Sequence, residues 1–371
     1  MTRLKRPATF AGSLALSLAI AFTFPSAAAQ PDTCPLEPPE RPTRFHVDVL
    51  IENDSTFTFD REDRHYTSGQ ALAVGLPSVE LADWFNTTTP FDADRAAFGF
   101  VAAYLLFTPD DIDNDAPRPG QHPYAGVAYI GGYVQRDQRL PELPGVTEFD
   151  HLQLDLGVVG PAARGEQVQS TVHDIFGGQE PNGWDAQHPD QFLVQLTYRR
   201  KWRLDLLNEG QPVTLDSSPI TRRGFGIDLT PQLAASAGTL RVEAEASAIG
   251  RVGFNLPDTF GPGFVRDLPS ATAADRLAQP NTLSTYLYGG GGVRLVGWDT
   301  TLDGPIFRDS SFDAESETFV GFARAGVAVG YRWDAWSAEL GYGVTLHTDT
   351  IVGQQGQQHF GSLTLGLTGR F

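Results

Sequence analysis

The feature that most constrains this chain is a period-two alternation of apolar and polar residues, repeated in segments long enough to cross a bilayer. Phe45, Val47, Val49 and Ile51 fall on one side of an extended segment, while His46, Asp48 and Glu52 fall on the other. The same pattern runs through 70–76, 98–107, 124–134, 149–158, 191–204, 224–235, 238–253, 283–297, 319–331, 336–347 and 359–371. That makes about twelve segments, and a tilted strand needs roughly 9 to 11 residues to span the hydrocarbon layer. In the last one Leu363, Leu365, Leu367 and Phe371 face one way, and Ser362, Thr364, Thr368 and Arg370 face the other. Secreted β-sandwiches alternate too, but a polar row ending in arginine suits a lumen better than a sandwich core. Trp333-Asp334-Ala335-Trp336 reads as a short turn carrying interfacial tryptophans. The expectation is an all-β chain forming a transmembrane antiparallel β-barrel of about twelve strands.

Composition narrows the alternatives. After the first thirty residues no run reaches the roughly 18 to 20 apolar residues of a spanning helix. The 27 basic residues against 45 acidic ones give a net charge of −18, which would repel nucleic acid. The single cysteine, Cys34, excludes an internal disulfide framework and a thiolate zinc site. Arg3, Lys5 and Arg6, the apolar stretch from Phe10 to Phe24 and the small residues Ala27-Ala28-Ala29 read as a secretory signal over 1–29. Its removal would take away three positive charges and leave 24 basic residues against 45 acidic ones, a net −21. Residues 30–44 are proline-rich and polar and read as a leader without fold, so 45–371 is expected to be one barrel domain.

Longer polar stretches at 108–122, 161–190, 254–282 and 300–318 are expected to be extracellular loops. One breaks the β pattern: Val168, Val172, Ile175 and Phe176 recur at helical spacing before Gly177-Gly178, placing a short helix on a loop. Gln169 and His173, four residues apart, would share a face of that helix. A histidine held there can deprotonate water near neutral pH, although a surface histidine gives the same pattern. Of the others, His46 is expected to face a polar lumen, and His122, His188 and His359 to sit in loops. Upstream, Glu52-Asn53-Asp54-Ser55 is followed by Asp63-Arg64-His65-Tyr66-Thr67-Ser68-Gly69. Carboxylate, amide and hydroxyl oxygens of this kind suit a hard cation such as Ca²⁺, and an Asx turn between strands is the structural alternative. No G-x-S-x-G elbow, H-E-x-x-H, P-loop or dinucleotide glycine pattern is present.

Taken in order, Glu52-Asn53-Asp54, Asp63-Arg64-x-Tyr66-Thr67-x-Gly69, Phe107-Thr108-Pro109, Pro123-Tyr124-Ala125-Gly126, Gly157-x-x-Gly160-Pro161, Gln167-Val168-Gln169-x-x-x-His173 and Gly183-Trp184 resemble the outer-membrane lipid A deacylase family, LpxR. The resemblance implies a twelve-stranded barrel in the outer membrane of a Gram-negative bacterium, acting as a monomer on lipid A, the anchor of lipopolysaccharide, among outer-membrane lipids. It implies Ca²⁺-dependent hydrolysis of an ester-linked acyl chain of the 3'-O-deacylase type. Site residues carried over by position are Asn53, Asp54, Thr67, Gln169 and His173, with Asp54 and Thr67 at the cation and His173 activating water. The sequence departs from the family where Gln179 replaces a glutamate, leaving Glu180 one step on as a substitute, and where Gln121-His122 precedes Pro-Tyr-Ala-Gly. Two other functions stay open: a non-catalytic barrel serving as pore or structural protein, and an outer-membrane phospholipase.

Overall fold

The computed structural model describes residues 44–55, 65–176, 180–208, 224–272, 280–354 and 358–370. The expected signal peptide, the leader up to residue 43 with Cys34, Asp63, the Gly177-Gly178 stop, Gln179 and Phe371 lie outside those residues. The first half of the wall is β1 (Arg44–Asn53), β2 (His65–Pro77), β3 (Arg95–Thr108), β4 (Ala125–Arg139), β5 (Val146–Val159) and β6 (Gln191–Asn208). The second half is β7 (Phe225–Gly238), β8 (Arg241–Phe254), β9 (Thr282–Asp299), β10 (Phe319–Arg332), β11 (Trp336–His347) and β12 (Gln358–Arg370). Neighbours in sequence pair antiparallel, and β12 closes onto β1, giving a barrel without sheet edges. Every expected segment overlaps one of these strands. Among the described residues three α-helices interrupt the pattern: α1 (Val79–Thr88), α2 (Gly165–Phe176) and α3 (Thr300–Asp303). The helix expected around Gln169 and His173 is α2, which begins two residues before Gln167.

Alternation sorts the wall into two faces. Leu72, Phe100 and Ile130 are 47%, 63% and 68% exposed on the outside, as a lipid-facing band requires. Ser362, Thr364 and Thr368 are buried on the inside of β12, and His46 faces the lumen between Asp48 and Thr368, as expected. His359, by contrast, lies within β12 and not in a loop.

One expectation fails in an informative way. Strand direction puts 109–124, 160–190 and 300–318 at one end of the barrel, but 255–281 at the other, with Arg44 and Arg370. The described residues of this β8–β9 connection do not project outward. Its described part folds into the lumen, burying Phe260, Phe264, Val265, Leu268 and Ala271. Its charges meet wall charges of opposite sign: Asp258 meets Arg203 at 2.6 Å and Arg95 at 2.7 Å, Asp267 meets Lys201 at 2.8 Å, and Arg266 meets Glu243 at 2.7 Å. Backbone groups are held as well. Gln135 donates to the Pro269 carbonyl at 3.1 Å and accepts from Ala271 N–H at 2.7 Å, while the Thr364 hydroxyl donates to the Gly263 carbonyl at 3.1 Å. Sequence polarity alone does not separate a loop that faces water from a plug that faces a polar lumen.

Candidate active site

The end of the barrel opposite Arg44 and Arg370 gathers most of the expected site residues. β1 ends on Asn53, whose Nδ2 donates to the Thr67 carbonyl at 3.0 Å, and the Asp54 N–H donates to the same oxygen at 3.3 Å. Asn53 Oδ1 accepts from the Ser55 N–H at 3.0 Å and its hydroxyl at 3.1 Å. The Asx turn is therefore real, and it also draws Asp54 toward Thr67. Thr67 sits where the β2–β3 register slips between Tyr66 and Ser68, and bulges of this kind re-aim side chains. Its hydroxyl lies 2.7 Å from that of Thr108, at the end of β3. Below, Glu52 accepts from the Tyr66 hydroxyl at 2.7 Å and from the Val265 N–H of the plug at 3.0 Å. Asp54 and Thr67 are 2% and 3% exposed. Their oxygens have the hardness that Ca²⁺ selects. Among the described residues no group of three or more His, Cys, Asp or Glu could hold a metal, so a cation here would depend on neutral oxygens beside Asp54.

Register carries this cluster across the wall. Asn53 pairs with Ser68, Ser68 with Leu106, and Leu106 with Gly126. The row lies on the lipid-facing side, in step with Ala102, Phe100 and Ile130. At Gly126 a Cβ would stand 3.2 Å from Ala163 Cβ and 3.3 Å from Gly165 Cα, so the missing side chain lets the start of α2 rest on the outer wall. Leu106 is covered by Tyr124 and Trp184, whose rings are 5.0 Å apart. Trp184 Nε1 donates to Gln169 Oε1 at 2.8 Å, locking α2 over the row. His173 is half-buried one turn further along α2. β1 and β4 are three strand spacings apart, about 14 Å.

The structure thus joins Asn53, Asp54 and Thr67 directly and ties Gln169 through Trp184 to Leu106 of the same row, while His173 lies one turn further along α2. Glu180 is exposed after the helix, two residues before Asn182, whose N–H donates to the Ile112 carbonyl at 2.9 Å. Sequence reasoning did not assign Glu52, Thr108 or Tyr66 to the site, nor give Trp184 a task, although Gly183-Trp184 is a visible motif. It also treated His122 and His188 as ordinary loop residues. Both are buried. His122 stacks on Phe107 with centroids 4.7 Å apart and donates from Nδ1 to the Pro123 carbonyl at 2.7 Å. His188 lies 3.1 Å from the Thr301 carbonyl and 2.9 Å from the Ser310 hydroxyl. Burial pushes His122 down to about 3, with the proximity of His65 acting in the same direction, and burial lowers His188 as well.

Fold and site together define an integral outer-membrane β-barrel with a plugged lumen and a loop-borne helix seated on its outer wall. The family model described as outer membrane protein LpxR matches residues 14–368. The chain belongs to the LpxR family and is an outer-membrane protein of a Gram-negative bacterium. Its structure is similar to that of LpxR from Salmonella typhimurium, with a TM-score of 0.61 at 18% identity, covering 88% of this chain and 100% of that one. The β domain of the Bordetella autotransporter BrkA is more distant, with a TM-score of 0.46 at 11% identity over 89% of this chain and 99% of that one. No curated protein matches the sequence.

Proposed function

We propose that this protein is a Ca²⁺-dependent lipid A deacylase that hydrolyses an ester-linked acyl chain of lipopolysaccharide at the outer surface of the membrane. The observation that carries this reading is the seat of α2. The helix bearing His173 rests on the lipid-facing side of the wall, on the row that begins at Asn53, so a membrane lipid reaches the site without entering the barrel. The plugged lumen disfavours a pore.

The donor set around Asp54 and Thr67 fits Ca²⁺, with the Asp54 carboxylate and Thr67 oxygens as its holders. When bound there, the ion supplies positive charge that polarises an ester carbonyl and stabilises the oxyanion formed from it. His173 takes a proton from water as the water oxygen bonds to the carbonyl carbon. The carbon–oxygen bond to the sugar-linked alkoxide then breaks, and His173 returns the proton to that alkoxide, leaving a free fatty acid and a hydroxyl on lipid A. Gln169 holds the helix through Trp184, and Asn53 fixes the β1–β2 corner. Glu180, in the loop that carries α2, takes the role of the family's glutamate. A monomer suffices, since one chain carries every group named.

Mass spectra of lipid A from cells expressing the protein test the reading. Loss of one acyl chain is expected with the wild type, and retention with His173→Ala, Asp54→Ala or a Ca²⁺ chelator. An unchanged lipid A profile with folded wild-type protein in the membrane would overturn the proposal. Fatty acid released from phospholipid instead would reassign the substrate.

A further inference from the structure

The outer wall directly below the site is not a smooth lipid-facing surface. It carries a shallow, open groove of about 610 Å³. Two register rows build it, one and two steps below the Asn53 row. The nearer row runs Ile51, Gln70, Tyr104 and Ala128, and the next runs Val49, Leu72, Ala102 and Ile130. Each step is two residues of strand, roughly 7 Å. Ala102 lies between Leu72 and Ile130, and Ala128 lies beside Tyr104, so small residues form the floor and larger apolar ones the sides.

The head of the groove is polar where the rest is not. Gln70 Nε2 donates to the Ser68 hydroxyl, and Ser68 pairs with Asn53 in the site row. The Tyr104 hydroxyl is buried and has no hydrogen-bond partner among the described residues. An orphaned hydroxyl costs stability until an oxygen or a donor reaches it.

Resting on the deacylase reading above, we propose that this groove is the acyl-chain subsite. It seats one fatty chain of the lipid against β1–β5, with the oxygen-bearing head of the chain at Tyr104 and Gln70 and the ester at the Asn53 row. The occupant comes from the bilayer because the groove lies within the lipid-facing band. The depth set by Ala102 and Ala128 then determines which chain lengths bring the ester to His173.

Three folded variants test this in purified outer-membrane vesicles containing lipid A of long or short acyl length: Ala102→Phe, Ala128→Phe and, as a control on the far wall, Ala325→Phe. Ala102→Phe and Ala128→Phe are expected to reduce long-chain deacylation about tenfold relative to short-chain, chiefly through KM, while Ala325→Phe matches the wild type. Tyr104→Phe is expected to lower turnover for both lengths. Equal chain-length preference in wild type and the groove variants would overturn the subsite while leaving the deacylase reading standing. A wild type inactive on lipid A would overturn the deacylase reading. A second readout then decides the groove independently of activity: lipid A with a photoreactive acyl chain, at low mole fraction in phosphatidylethanolamine vesicles. Labelling concentrated on β2–β4 and lost in Ala102→Phe supports the groove. Labelling spread evenly around the barrel, or a groove covered by a second copy of the chain, overturns it.

Discussion

One hydrogen bond helps to seat α2. Trp184 is 2% exposed and its indole N–H donates to Gln169 Oε1 at 2.8 Å. Stranding that buried donor costs about 1–3 kcal/mol, a cost the loop can escape by shifting. Gln169→Leu is therefore expected to cut lipid A deacylation by about fivefold to a hundredfold, since 1.4 kcal/mol is one decade, with the barrel still resistant to unfolding in detergent. Gln169→Glu keeps the acceptor and should retain most of the rate; equal loss in both variants would remove the positioning role. The buried histidines give a second prediction at this scale. Burial holds His122 near 3 and lowers His188, whereas an unfolded imidazole titrates near 6.5. Between those values the unfolded loops bind more protons than the folded ones, so stability rises with pH through that window. It is complete above about 6.5 and declines as pH falls toward 3. Protease cleavage of the site-end loops should thus increase from pH 7.5 to 4.5, and His122→Phe, which keeps the stack on Phe107, should flatten that increase.

Among the elements, the joint between α2 and the wall is the most exacting. A Cβ on Gly165 would meet Trp184 Cη2 at 2.2 Å, a contact that only displacement relieves. Gly165→Val is expected to abolish deacylation while the strands and their lipid-facing residues stay in place, shown by an unchanged β-sheet circular dichroism spectrum; full activity would mean that the helix does not need this seat. The strands themselves were legible in the sequence, because a period of two with one lipid face and one polar face leaves a direct trace in residue order, as in Leu363, Leu365 and Leu367. α2 was legible for the same kind of reason, through Val168, Val172 and Ile175. The site was only partly so. Asn53, Asp54 and Thr67 stood out as polar residues at strand ends, but their convergence depends on a bulge that no local pattern announces. Trp184 and Leu106 are separated by 77 residues and meet only because β3 and the loop after β5 share one wall. α1 escaped notice because its ten residues, Val79–Thr88, are too few to establish a period.

For the molecule as a whole, the β8–β9 connection determines what the barrel can be. Its polar composition resembled that of an exposed loop, yet the charges of Asp258, Arg266 and Asp267 are met by Arg203, Glu243 and Lys201 across the lumen. The Asp258–Arg203 pair is buried, so removing one partner strands a charge at a cost of about 3–5 kcal/mol; the other two pairs are partly buried, and several wall strands hold the segment at once. Two cavities left beside it measure only about 20 and 40 Å³, room for about one water each. The intact protein in planar bilayers is therefore expected to show no steady conductance. Replacing 257–270 with a short glycine–serine linker should open stable, ohmic channels, because the remaining wall is polar and closed. The tip of the same segment donates from Val265 to Glu52, the residue before Asn53, so the linker variant should also lose deacylation more than it loses barrel stability. Conductance in the intact protein equal to that of the linker variant would show that the plug leaves the lumen, and the pore reading would return. Silent wild type with conducting but inactive linker protein would show that one inward fold both seals the membrane and braces the corner that carries Asp54.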